Sequence, residues 1–204
     1  MKLKPSKIIC VGLNYKDHAE ELKMDLPKEP VIFLKPPTAV IYNNDKIVYP
    51  EMTGELHYEG ELGVVIKDRV KNISESDASQ HILGFCCAND VTARDLQKLD
   101  GQWTRAKSFD TFCPLGPEVV AGLDPDNLAI KVYLNGQLKQ SSNTANMIFK
   151  VNYLVAFISR IMTLEPGDVI LTGTPPGVGP MRVGDEVKVE IAGIGSLSNM
   201  VVGG

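Results

Sequence analysis

The 204-residue chain contains no run of 18 apolar residues, which is too little to build a membrane-spanning helix. It also lacks a basic excess. Its 21 Lys and Arg against 25 Asp and Glu give a formal net charge of -4, which offers no electrostatic footprint for a nucleic acid. The start, Met1 to Lys7, is polar and has no apolar segment, so no signal peptide is expected there. Cys10, Cys86, Cys87 and Cys113 lack C-x-x-C spacing, which argues against a four-cysteine zinc site. Reduced, mostly buried thiols of a cytoplasmic protein are expected instead. Repeats, low-complexity tracts and linkers are absent, so residues 1–204 read as one domain, with 1–50 an N-terminal segment of it. What remains is ordinary globular composition, 44% hydrophobic and 23% charged.

Strands are predicted at Lys7 to Val11, Val31 to Leu34, Ile82 to Asn89, Leu128 to Leu134, Val169 to Leu171, Glu186 to Ile191 and Ser198 to Val202. Asn43-Asn44-Asp45 reads as a hairpin turn between Ala39–Tyr42 and Lys46–Tyr49, and Asn135-Gly136 as another before Gln137 to Gln140. Tyr58 to Lys67 reads as one long strand. Helices are predicted at Asn14 to Met24, Thr92 to Leu99 and Val151 to Met162, the last with Leu154, Phe157, Ile158 and Ile161 on one face. Strands outnumber scattered helices, which predicts a β-rich α+β fold with mixed strand directions.

The most informative stretch is His57-Tyr58-Glu59-Gly60-Glu61-Leu62, where two carboxylates lead into an apolar strand. On a strand Glu59 and Glu61 share a face. Anions at the entry to a buried strand need a counter-charge, and a divalent cation supplies it. A solvated strand edge is the plainer reading, but the segment downstream is too apolar for one. His57 shares the face by alternation. With two glutamates it would suit zinc or iron, whereas a third carboxylate would suit Mg2+ or Mn2+. Asp90, at the end of the buried run from Ile82, is the best third ligand, although capping the following helix explains it equally well. His18 and Glu21 lie three apart on a predicted helix, as an imidazole and its orienting carboxylate would. Spacing alone favours a solvated helix face for them. Lys107 has small and apolar neighbours, so a partly buried lysine that stabilises an oxyanion competes with an ordinary surface one. The stretch Leu171 to Gly179 lacks the spacing of a phosphate loop; it is either a rigid surface turn or a loop whose amides and threonine hydroxyl grip a carboxylate.

The segments CVGLNYKDHAEE, FLKPPTAV, HYEGELGVVI, NDVTARDLQ, AKSFDTFCPLGP and LTGTPPGVG together resemble the fumarylacetoacetate hydrolase family, in its order and over nearly the whole chain. The likeness is to its small single-domain branch of acylpyruvate hydrolases, oxaloacetate decarboxylases and tautomerases, and hydroxymuconate-type isomerases. The resemblance implies a mixed β-roll, a homodimer and Mg2+ or Mn2+. It implies metal ligation by Glu59, Glu61 and Asp90, a His18–Glu21 base pair, and Lys107 beside the metal. It places Arg94, Gln97 and Thr174 near the substrate, with Lys35 lining or supporting the cavity. The chain departs from the family in lacking the long N-terminal domain of the larger hydrolases, and Leu13 stands where some acylpyruvate hydrolases have arginine. The expected activity is C–C hydrolysis of acylpyruvates, or decarboxylation or tautomerisation of oxaloacetate, through an enolate. A hydroxymuconate isomerase is the alternative, and it needs a second anion grip that the sequence does not locate. A metal-binding structural or partner-binding module is the non-enzymatic alternative. Residues 14–30 have no apolar stripe to pin them and are expected to act as a lid.

Overall fold

The computed structural model describes residues 3–22 and 25–204; Met1, Lys2, Lys23 and Met24, the last two at the end of the first predicted helix, lie outside the described residues. The architecture is β-rich and mixed. A seven-stranded sheet runs in the order Val31–Lys35, Ile8–Gly12, Val169–Leu171, Gly60–Ile66, Ile82–Asn89, Cys113–Val120, Val40–Tyr42. A five-stranded sheet packs on it in the order Gln137–Asn143, Ala129–Leu134, Glu186–Ile191, Gly195–Gly203, Lys46–Tyr49. Gly179–Met181, Leu56–Tyr58 and Thr92–Ala93 form a small third sheet.

Composition decides the layering. Every residue of Gly60–Ile66 is buried, as expected for an apolar strand covered on both faces. Glu186–Ile191 instead buries Val187, Val189 and Ile191 and turns the residues between them outward. Leu62, Val64 and Ile66 meet Ile130, Val132 and Val189 between the two sheets. Gly60 is indispensable to that approach, because a Cβ there would lie 2.2 Å from Val132 Cγ2. The other face of the larger, curled sheet closes over Ile8, Cys10, Val65, Cys86, Ala88 and Cys113. The helix Val151–Ile161 buries Leu154 and Ile158 as predicted, while Ile161 is 51% exposed at its end. No described helix is long and apolar enough to cross a membrane.

Three expectations change. Val40–Tyr42 and Lys46–Tyr49 do not pair as a hairpin: the first joins Cys113–Val120 in one sheet and the second Gly195–Gly203 in the other. Asp45 Oδ2 takes the Tyr42 N–H, and the Asn44 N–H goes to Ser198 O, so the turn spends its polar groups on changing sheets. The long acidic strand is two strands broken at Glu59, because Leu56–Tyr58 pairs in the third sheet. Thr92–Leu99 is a short strand followed by a helix at Arg94–Asp100. The cysteines are all free and buried, as expected.

Asp168 ties the N-terminal segment to the sheet. Its carboxylate accepts from Ser6 N–H at 3.0 Å, Ser6 Oγ at 2.7 Å, Glu165 N–H at 2.8 Å and Lys7 Nζ. Burial alone would raise its pKa, but these donors hold it below the usual aspartate range. A depressed carboxyl stabilises the fold above its unfolded pKa, and that contribution is lost as pH falls through the folded value. Asp168→Ala is expected to cost about 2–3 kcal/mol in chemical denaturation near neutrality. The gap from the wild type will narrow as the pH is taken below about 4.

Candidate active site

The break at Glu59 and the end of the Ile82–Asn89 strand are bonded to each other. Glu59 N–H donates to Asn89 Oδ1 at 2.9 Å, and Asp90 N–H donates to Glu59 O at 2.8 Å. Glu61 is the second residue of the next strand, Gly60–Ile66, and its Oε2 accepts the Gly173 N–H at 2.7 Å. The Leu171–Gly179 loop is therefore not a surface turn: one of its amides fixes a site carboxylate. Ligand oxygens of Glu59, Glu61 and Asp90 lie within 4.8 Å of one another, all three residues buried. The two glutamates converge as their expected shared face requires, although Glu59 lies between two strands and only Glu61 within the strand Gly60–Ile66.

Three cations surround the three carboxylates. Lys107 Nζ donates to Glu59 Oε2 at 2.9 Å and to Asp90 Oδ2 at 2.6 Å. Lys35 Nζ donates to Asp90 Oδ1 at 2.5 Å and to Val91 O at 3.0 Å. Arg94 pairs with the other oxygen of Glu59 and donates to Gln97 Oε1 at 2.5 Å. Burial opposes charge on Glu59, but Lys107 and Arg94 outweigh it and hold its carboxyl below the usual range. Glu61 is the opposite case. Burial, Asp90 and Glu59 raise it well above that range against Lys107 and the Gly173 N–H. Burial would lower Lys107, and the carboxylates Asp90 and Glu59 raise it instead, so it stays charged. A buried all-oxygen set with one carboxyl starved of positive charge fits a hard divalent cation.

His57 stands apart from this group. Its Nε2 meets Glu55 Oε1 at 3.0 Å and its Nδ1 accepts from Arg94 Nε at 3.5 Å, which leaves no place for it among the oxygens. Capping does not explain Asp90 either, since Ala93 begins the helix with no side-chain cap.

A cavity of about 340 Å³ opens over the cluster. Glu59, Glu61, Asp90 and Lys107 floor it; Arg94, Gln97 and Lys98 line it from one helix, and Leu13, Phe33 and Trp103 also form its lining. His18 and Thr174 reach it as well. His18 Nδ1 lies 3.0 Å from Glu21 Oε2, so the predicted pair forms on the helix Lys16–Leu22. That helix is anchored at its start: Asp17 accepts the His18 N–H at 3.1 Å and Ser142 Oγ at 2.7 Å, and Asn14 Nδ2 donates to Thr172 O at 2.8 Å. Lys35 is not on the cavity wall; it lies behind Asp90 and supports it. A wider depression of about 640 Å³ near Met52 and Phe109 carries the Asp100–Arg105 pair and no converging carboxylates.

Two contributors escaped the sequence reading. Gln140, fully buried on the second sheet, accepts the Gly60 N–H at 3.0 Å and donates to Thr174 Oγ1 at 2.9 Å. Thr174 in turn donates its hydroxyl proton to Gly60 O at 2.9 Å, so that proton is not free for a ligand. Trp103 packs so closely over Gly12 that a Cβ there would lie 2.7 Å from its ring. Nothing in local pattern marks Gln140; the chain's single tryptophan was the available signal for Trp103. Cys113 is held up at about 12, mainly by burial, which makes it an inert thiol and not a nucleophile.

A profile of the fumarylacetoacetate (FAA) hydrolase C-terminal family matches residues 7–202. A mitochondrial oxaloacetate tautomerase of Xenopus laevis is 49% identical over 210 residues, 97% of this chain and 66% of that protein. The crystal structure of a 5-carboxymethyl-2-hydroxymuconate delta-isomerase from Mycobacterium smegmatis is 49% identical with a TM-score of 0.94, covering 99% of this chain and 80% of that one. A fumarylpyruvate hydrolase from Pseudomonas aeruginosa, in complex with Mn2+ and pyruvate, is 34% identical with a TM-score of 0.93, covering 100% and 92%.

Proposed function

Because the chain belongs to the fumarylacetoacetate hydrolase family, we propose that it is a divalent-metal-dependent enzyme of 2-oxo acids that hydrolyses the C–C bond of acylpyruvates. The observation that carries this reading is the convergence of Glu59, Glu61 and Asp90 under a cavity that His18 also lines. These carboxylates would hold Mg2+ or Mn2+, which when bound supplies Lewis-acid stabilisation of charge on a keto oxygen.

The chain's own residues supply the rest. Glu21 holds His18 by Nδ1, which leaves Nε2 to take a proton from the attacking water. Lys107 sits between Glu59 and Asp90, where its charge offsets negative charge developing on the substrate. Lys107→Met is therefore expected to lower turnover about 100-fold or more without weakening cation binding, since the lysine now occupies the same oxygens a cation would use. Single-turnover kinetics beside a cation titration checks this; unchanged turnover would reduce Lys107 to scaffold.

Tautomerisation of oxaloacetate is the second reading, favoured by the 49% identity to the tautomerase. It needs proton transfer but no attacking water. Turnover with Mg2+ of fumarylpyruvate, acetylpyruvate, oxaloacetate and a hydroxymuconate dicarboxylate, side by side, separates the two. Cleavage of neither acylpyruvate would reject the hydrolase reading. The proposal includes a homodimer, supported by Val31 and Leu34, exposed on an edge strand, and tested by sedimentation.

A further inference from the structure

We propose that Lys98 grips the far carboxylate of the substrate, so that the cavity selects 2-oxo dicarboxylates over 2-oxo monoacids. The inference rests on the 2-oxo acid reading and deepens it. Among the described residues, three lysine or arginine side chains line the cavity: Arg94, Lys98 and Lys107. Arg94 and Lys107 are already paired with Glu59 and Asp90. Lys98 is not paired with a proposed metal ligand. Among the described residues it pairs with Glu55, at 3.4 Å, and Glu55 also holds His57 at 3.0 Å.

Position and charge point the same way. Lys98 follows Arg94 by four residues on the helix Arg94–Asp100, one turn or about 6 Å further along the wall. Arg94 touches Glu59, so this turn separates the metal end of the cavity from Lys98. An extended five- or six-carbon acid spans a similar length. With Glu61 ionised on cation binding, the three carboxylates at the floor are matched in number by Lys35, Arg94 and Lys107, which pair with Glu59 and Asp90. A bound divalent cation leaves a double positive charge there, which a dianionic acid neutralises and a monoanion does not. Leu13, Phe33 and Trp103, which also line the cavity, offer no competing cation.

The chain's single tryptophan, Trp103, lines the cavity, so its fluorescence reports binding without turnover, with calorimetry as a second readout. The Mg2+-loaded protein is titrated with 2-oxoglutarate and with 2-oxohexanoate, which has a similar length and no second carboxylate. The wild type is expected to prefer the dicarboxylate about fivefold, the upper end for a solvent-exposed ion pair. Added salt will shrink that preference. Lys98→Met will remove it while leaving 2-oxohexanoate binding unchanged, and Lys98→Arg will keep it. The Lys98 side chain is 68% exposed, so neither variant threatens the fold. Equal binding of the two acids by the wild type, or a preference that survives Lys98→Met, overturns the inference alone. Failure of both acids to bind overturns the 2-oxo acid reading and the inference with it.

Discussion

Glu61→Gln is expected to weaken divalent-cation binding by more than about 100-fold and to lower turnover with it, the largest effect expected of any single substitution in the chain. Among the described residues, Glu61 is the carboxylate of the three with which no lysine or arginine pairs. Its Oε2 takes only the Gly173 N–H, and its carboxyl is held well above the usual range by burial, Asp90 and Glu59. Glutamine keeps the shape and the Gly173 bond but removes the charge. Mn2+ affinity, followed by the paramagnetism of free Mn2+, is expected to fall more than about 100-fold, beyond what loss of an outer hydrogen-bond partner costs. The wild type also has a pH signature. Because burial, Asp90 and Glu59 favour the protonated form of Glu61, cation affinity is expected to strengthen as pH rises, and the variant to lose that dependence. Wild-type Mn2+ affinity in Glu61→Gln would remove the metal centre from this site.

His18→Ala gives the second large effect and is independent of the first. The imidazole is 3.0 Å from Glu21 Oε2 and faces the cavity, but it makes no bond to the three carboxylates. Its loss is expected to slow acylpyruvate hydrolysis by about 10²- to 10⁴-fold, the usual range for a general base, with Mn2+ affinity unchanged. Glu21→Gln will be damaged less, because an amide oxygen still accepts the Nδ1 proton but no longer stabilises an imidazolium. Oxaloacetate tautomerisation need not follow the same ratio, since no water attacks. Hydrolysis at the wild-type rate in His18→Ala would return that histidine to an ordinary helix face.

Both experiments test residues that could be named before the fold was known, and the reason is chemical. Paired carboxylates running into an apolar strand are conspicuous, because charge next to burial demands compensation. The strand Ile82–Asn89 and the helix beginning at Val151 were equally legible, each carrying its signal within its own sequence. What misled was pairing. Asn43-Asn44-Asp45 is a genuine turn, with Asn44 in the left-handed region, yet the strands on either side belong to different sheets. A turn signal states that the chain reverses, not which edge receives it. The continuous strand drawn through Glu59 failed likewise, because its break depends on Asn89 and Asp90, 30 and 31 residues away.

The sequence by itself determined that this is a β-rich globular chain, and it marked the residue types able to bind a cation and move a proton. Hydrophobic period and the cost of buried charge are local properties. Only the tertiary structure decided that Lys35 stands behind Asp90, that Lys107 bridges Glu59 and Asp90, and that Gln140 secures Gly60 from the opposite sheet. It also placed Lys98 on the cavity wall. Those contacts join residues far apart in the chain, and their worth comes from shared burial in a low-dielectric interior, which exists only once the sheets have closed.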